Sequence, residues 1–273
     1  MPFFTDKFIE THFRNFKERR LKKMPINDGL LVEDEILAGL NNKRVCDINN
    51  NLRFLLRSLY GALDDEEIIS CRKTDDSFKV DLVITYKNEE KAISVKTGRA
   101  QIVHNEILDN FADFLAAQGV SKETIETIKL FHYGDGTTDG TGKNRQSYLE
   151  IATSLHERIK KANDELNYRK ELVLKTLYHC VFKGANENNP LVDAIYFGTK
   201  DYGIMATRKQ IIKHVTKRNF AFFENLHIGP LLLRPDARYV NKAIADERKR
   251  NRIVAYWPNL NADIEYISKR YDY

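Results

Sequence analysis

Residues 79–98 read K-V-D-L-V-I-T-Y-K-N-E-E-K-A-I-S-V-K-T-G, and the alternation in this stretch fits an antiparallel hairpin. Val80, Leu82 and Ile84 alternate with Asp81, Val83 and Thr85. Ile93 and Val95 alternate with Ala92, Ser94 and Lys96. A period of two is that of a half-buried strand. With Lys87-Asn88-Glu89-Glu90 as the turn, Asp81 stands opposite Lys96 and Val83 opposite Ser94, and opposed residues share a face. One face then carries Val80, Leu82, Ile84, Ile93 and Val95 as core, and the other carries Asp81, Ser94 and Lys96. A one-residue slip would exchange the two sets, so the apolar pattern itself argues for the sorting.

An acid and a lysine on one sheet face are compatible with chemistry. A carboxylate near a strand end can hold Mg²⁺ through oxygen. A neighbouring lysine can orient a water and neutralise charge on a phosphate under attack. The same pair is also an ordinary cross-strand ion pair, so the context must weigh between the two. A helical stretch ends near Gly61, and a strand runs from about Glu67 to Arg72. The hairpin follows, and then a helix is expected from about Val103. That order, with Asp81 and Ser94-x-Lys96, resembles the PD-(D/E)xK nuclease core, and within it the type II restriction endonucleases, over roughly residues 30–120. The resemblance implies that Asp81 and the carbonyl of Val95 bind metal and that Lys96 positions the attacking water. Two departures stand out. Lys79-Val80 replaces the proline often found before the Asp, and Ser94 stands where the family usually has Asp or Glu. A hydroxyl is a poorer metal ligand than a carboxylate, so a second acid has to come from elsewhere, as in members of the family that carry Ser there.

Two helices supply candidates. Over residues 31–40 the apolar stripe is Val32, Ile36, Leu37 and Leu40. At about 100° per residue Glu33 falls inside it and Glu35 points away. A glutamate aimed at the core must be paired, protonated or bound to metal, and the resemblance implies a glutamate on this first helix. Glu33 is the candidate, against a first-turn glutamate that merely answers the helix dipole. In the helix expected from Val103, the stripe is Ile107, Phe111, Phe114 and Leu115, with His104 near its start and Glu106 and Asp113 facing elsewhere. His104 could touch a scissile phosphate beside the N–H groups of the helix start or be a satisfied, partly buried histidine. Glu106 is the second candidate for the displaced acid.

The chain of 273 residues carries 44 Lys and Arg against 39 Asp and Glu, a net charge of +5. That balance is mild, and distribution matters more than the sum. Basic residues cluster at 14–23, 208–218 and 248–252, and the last two are the better candidates for phosphate contacts. No apolar run approaches the roughly 20 residues of a membrane span. No secretory leader is legible at the N-terminus, and Cys46, Cys71 and Cys180 are few and far apart. A cytoplasmic protein without a cysteine-based zinc site is expected.

The expected fold class is α+β, with an α/β/α restriction-endonuclease-like core. It would comprise a basic helical arm over 1–30, bearing Phe4, Phe8, Phe13 and Phe16, the catalytic core over 31–145, and a helical and strand elaboration over 146–273. The glycine-rich stretch from Phe131 to Lys143 reads as a loop, not a phosphate-cradling one, with Lys143 and Arg145 at its exit toward DNA. Helix is expected over 147–183. Strands follow near 193–197, 203–207, 230–234 and 252–256, with helices at 209–217 and 260–269.

The function expected is a Mg²⁺-dependent type II restriction endonuclease acting on double-stranded DNA as a homodimer, with a cognate methyltransferase for the same site. Arg99, Gln101, His104, Lys143, Arg145, Arg208, Lys209, Arg234, Arg238 and Arg252 are the candidate DNA contacts, with Arg234, Arg238 and Arg252 able to read guanine. The alternatives are a repair or recombination nuclease on the same core, and a DNA-binding protein whose acid has been lost at Ser94.

Overall fold

The computed structural model describes residues 29–75, 78–98, 101–142, 145–186, 188–222, 225–236 and 250–270. The basic arm, Arg99, Lys143 and Arg238 lie outside the described residues. The fold is α+β, with a central mixed sheet flanked by helices. It divides into two compact units. One comprises Met1–Ala100, Asn186–Ile211 and Asn261–Tyr273 as far as these are described; the other comprises Gln101–Ala185 and Ile212–Leu260. The division does not fall at the expected boundary of 145. Residues 186–211 return to the first unit because their strands complete its sheet.

The first unit opens with α1 (Gly29–Leu40), whose Ile36 and Leu40 are buried. A short strand β1 (Lys43–Arg44) follows, then α2 (Asn50–Tyr60). The Asn49 side chain caps α2 by accepting from the Leu52 N–H at 2.8 Å, and Gly61, at φ 81°, ends it. Strands β2 (Ile68–Lys73), β3 (Leu82–Tyr86) and β4 (Glu89–Lys96) form an antiparallel meander. β6 (Ala194–Gly198) then pairs with β4 in parallel, and β7 (Gly203–Thr207) closes the order β1-β2-β3-β4-β6-β7. The apolar face of the hairpin packs with Ile36, Leu40, Leu52, Leu55 and Leu56 in one core cluster. Buried Asn51 ties α2 to the β6–β7 turn. Its Nδ2 donates to the Tyr196 hydroxyl at 2.5 Å and to the Lys200 carbonyl at 3.1 Å, while its Oδ1 accepts from Gly203 N–H at 3.0 Å.

The register of the hairpin differs from the expected one. Tyr86 pairs with Glu89 and Leu82 with Ile93, so the turn is Lys87-Asn88 alone. Both residues adopt positive φ, 47° and 65°, as a two-residue turn matched to strand twist requires. Asp81 now stands across from Ser94 instead of Lys96, and its N–H donates to the Ile93 carbonyl at 2.9 Å. The offset is two residues, one full side-chain period, so every residue keeps its face.

The second unit is built on the sheet β5-β10-β9-β8, where β5 is Ile102–Ile107, β8 His227–Ile228, β9 Leu231–Pro235 and β10 Arg252–Tyr256. Its helices include α3 (Leu108–Ala117), α4 (Lys122–Tyr133), α5 (Tyr148–Ser154), α6 (His156–Tyr168) and α7 (Lys170–Leu177). α7 continues into a π-helical segment, Tyr178–Lys183. Helix α8 (Arg208–Lys217) follows β7 and crosses the division between the units, as does α9 (Leu260–Arg270) at its first residue.

The helix expected from Val103 therefore starts five residues later, and residues 102–107 are strand. Ile102, Val103 and Ile107 are β-branched, and β10 supplies antiparallel partners to this segment, Ile107 with Arg252, His104 with Ala255 and Ile102 with Tyr256, the register shifting at Val103. Tertiary pairing overrides a helical reading of so short a segment. The loop expected from Phe131 begins at Gly134, which ends α4 in the left-handed conformation at φ 59°.

His132 on α4 is 2% exposed, and its Nε2 donates to the Arg250 carbonyl at 3.0 Å. Burial pushes its pKa down to about 4 from the ordinary 6.5, against the pull of the carbonyl. The folded chain therefore holds this proton less readily than the unfolded one. Its contribution to stability is complete above the unfolded pKa and is lost as pH falls from 6.5 toward about 4, amounting to about 3 kcal/mol in all. Urea midpoints are expected to drop between pH 7 and pH 5, and His132→Phe is expected to flatten that slope. An unchanged slope in the variant would assign the acid sensitivity to other groups.

Candidate active site

At one end of the first unit's sheet, the C-terminal end of β4 lies beside the residue that leads into β3. Asp81 is held there by its neighbours across the hairpin. Its Oδ2 accepts from the Val95 N–H at 2.6 Å and from the Ser94 hydroxyl at 3.0 Å. The Lys96 Nζ lies 3.5 Å from the same oxygen and donates to the Val95 carbonyl at 3.2 Å. Ser94 is 3% exposed, whereas the side chains of Asp81 and Lys96 keep 21% and 24% of their surface. The arrangement comprises a fixed carboxylate, a backbone carbonyl and an ammonium between them, open to solvent on one side. The Lys96 ammonium touches two oxygens of the kind a divalent cation would use. A carboxylate and a carbonyl are hard oxygen donors, and Mg²⁺ is commonly held by one or two carboxylates with waters and phosphate completing its shell, so these residues fit that ion.

Three of the expected catalytic residues are thus brought together, along with the Val95 carbonyl. Ser94 acts on Asp81, directing its hydroxyl at Oδ2. Glu33 stands half-buried on α1 as its position in the apolar stripe implies, while Glu35 is exposed. Its Oε2 is 3.8 Å from Lys73 Nζ, which also meets Asp34 at 2.7 Å. Lys73 is paired with Leu82, and the next residue, Thr74, donates its N–H to the Asp81 carbonyl at 3.2 Å. Glu33 is therefore at the Asp81 end of the sheet. It approaches on the side of Leu82, the face opposite the one that carries Ser94.

His104 lies in the second unit, buried on β5. Alternation along the strand puts Glu106 on its face, so Glu106 does not point away as expected from a helix. The Glu106 Oε1 is 2.7 Å from His104 Nε2 and 2.6 Å from His179 Nε2. Burial alone would raise the Glu106 pKa, but the hydrogen bonds and charge of the two histidines outweigh it and hold the carboxyl down at about 2. Nothing local in the sequence marks His179 as a partner of β5, 73 residues from Glu106, and no spacing rule links the two.

Several residues expected to meet DNA have their polar groups engaged within the protein. Arg145 donates to the Phe131 carbonyl at 3.1 Å and to that of His132, satisfying the end of α4. Arg208 donates to the Val192 carbonyl at 2.8 Å and pairs with Asp193 at 3.4 Å. Arg252 grips Asn105 through its side-chain oxygen at 2.7 Å and its carbonyl at 3.0 Å. Gln101 donates to the Pro258 carbonyl at 2.6 Å and accepts from the Tyr256 hydroxyl. Arg234 lies over the Tyr256 ring, 4.9 Å from its centre. Lys209 is exposed at the start of α8. Helix ends and loop carbonyls buried from water demand donors, and arginine, with five N–H groups, meets that demand.

No family model matches the sequence, and no curated protein matches it. Among solved structures, the chain is similar to restriction endonuclease MspI in complex with its cognate DNA. The TM-score is 0.49 at 14% identity, over 92% of this chain and 98% of that one. Likeness of that degree transfers no residue's role. Among the described residues, no helix is long and apolar enough to cross a membrane.

Proposed function

We propose that this chain is a Mg²⁺-dependent endonuclease of double-stranded DNA with the PD-(D/E)xK type of core, of the type II restriction kind. The observation that carries the reading is that the Lys96 ammonium reaches both the Asp81 carboxylate, at 3.5 Å, and the Val95 carbonyl, at 3.2 Å, at one solvent-accessible sheet end. Asp81 and the Val95 carbonyl would hold Mg²⁺; Glu33, at the same sheet end but on the Leu82 face, would have to leave its Lys73 pair and turn toward them to serve as the second acid. Bound there, the ion would neutralise charge that develops on the phosphate. Lys96 orients the attacking water. The water oxygen bonds to phosphorus as its proton passes to bulk water, one ester P–O bond breaks, and the departing oxygen takes up a proton from bulk water. Ser94 fixes the Asp81 rotamer through Oδ2. A homodimer matches a palindromic site, and a methyltransferase of the same specificity would protect the host's DNA.

One observation favours a second reading. The Ser94 hydroxyl is directed at Asp81, so the position that normally supplies a second acid supplies a hydrogen bond instead. A DNA-binding protein without cleavage would look the same here. Incubation of the purified chain with unmethylated phage DNA separates the two. A discrete ladder with Mg²⁺, absent in chelator, is the expected result. Binding to duplex DNA without cleavage under Mg²⁺ or Mn²⁺ would overturn the nuclease reading in favour of the second.

A further inference from the structure

Two histidines and a glutamate converge in the second unit, away in chemistry from the oxygen donors at Asp81. β5 projects His104 and Glu106 from one face, two residues apart, and both are 7% exposed. His179 enters from the π-helical segment, a type of local distortion frequent at functional sites. Its side chain is 10% exposed, and its ring stacks on Phe114 with centroids 4.1 Å apart and planes at 16°. The His104 and His179 rings meet edge to face, centroids 5.0 Å apart. One ligand atom from each of the three residues lies within 4.8 Å of the others.

We propose that His104, Glu106 and His179 form a binding site for one divalent transition-metal ion of the zinc class. The donor set is two imidazoles and a carboxylate, which suits Zn²⁺, Fe²⁺, Co²⁺ or Ni²⁺ and is unsuited to Mg²⁺. The hydrogen-bonding pattern favours a metal over a structural clasp. A clasp would place one imidazole on each carboxylate oxygen. Here both Nε2 atoms meet Oε1, while Oε2 of Glu106 is buried with no hydrogen-bond partner among the described residues. A buried carboxylate oxygen left so is costly, and a metal bound by both oxygens of Glu106 would engage it as a fourth donor. Tetrahedral zinc with ligands at about 2.0–2.1 Å holds donor atoms roughly 3.3 Å apart. The present separations of 2.7 and 2.6 Å need to open by less than about 1 Å to reach that spacing. The π-helical backbone and the Phe114 ring fix the plane of His179 in advance, the role that surrounding groups play at metal centres.

The test uses the full chain stripped with chelator, in a Cys46→Ser background so that the one exposed thiol does not bind zinc. ZnCl₂ titration by calorimetry is expected to give one ion per chain. Co²⁺ is expected to give the intense visible absorption of a tetrahedral N/O site. His179→Gln and Glu106→Gln, checked for folding by circular dichroism, are each expected to weaken zinc binding by about 100-fold or more. Zinc is expected to raise the melting temperature of the parent and leave that of His179→Gln unmoved. Substoichiometric binding in the parent, or equal affinity in a folded His179→Gln, overturns the site. These are readouts of binding, so failure here leaves the cleavage reading standing, and failure of cleavage leaves this site standing.

Discussion

Lys96→Ala is expected to lower the DNA cleavage rate by about 10²–10⁴-fold, the range for removing a group that positions or transfers a proton, while duplex binding persists. The Lys96 side chain sits at a strand end with a quarter of its surface exposed, and its contacts are Asp81 at 3.5 Å and the Val95 carbonyl at 3.2 Å. Truncation leaves Asp81 its bonds from Val95 N–H and Ser94, so the sheet end keeps its geometry. Asp81→Asn is expected to lose as much or more, because the amide donates where the carboxylate accepts and carries no charge for a cation. Mobility shifts in Ca²⁺ separate binding from cutting. Full cleavage by Lys96→Ala would remove this residue from the mechanism and with it the main support for the nuclease reading.

Trp257→Ala is expected to destabilise the chain by about 3–5 kcal/mol, the range for deleting a large aromatic from a packed interior. Trp257 is the largest fully buried side chain and the single tryptophan of the sequence. It lies just after β10, and its N–H donates to the Gln101 carbonyl at 2.7 Å, while the Gln101 side chain donates to the Pro258 carbonyl at 2.6 Å. These bonds hold the start of β5 against the end of β10 and so set the strand that carries His104 and Glu106. Denaturant unfolding followed by circular dichroism reads the loss, since the variant has no tryptophan emission. A shift below about 1 kcal/mol would mean that the cavity collapses freely. Trp257→Phe, which keeps most of the volume, is expected to cost clearly less.

The Asp81, Ser94 and Lys96 cluster was legible in the sequence because alternation is a local property. Each residue's face follows from its parity, and an error of two in register leaves parity intact. The turn itself was not legible, since nothing in Lys87 announces a positive φ and Glu89-Glu90 is as polar as a turn. The burial of Glu33 was legible for the same reason as the hairpin, from its place in the period of α1. Its partner Lys73 was not, because that contact spans about forty residues.

The sequence by itself determined which residues share a face, that α2 ends near Gly61, and that an acid and a lysine face one way on one ribbon. The tertiary structure alone decided that 102–107 is strand, through the ladder that β10 offers from about 150 residues away. It decided that Arg145, Arg208 and Arg252 turn to carbonyls and side chains of their own chain, and that His179 meets His104 and Glu106. The physical reason is the same throughout. Period and capping are set by neighbours along the backbone, whereas hydrogen-bond partners and ligand sets are chosen among groups that only folding brings within about 3 Å.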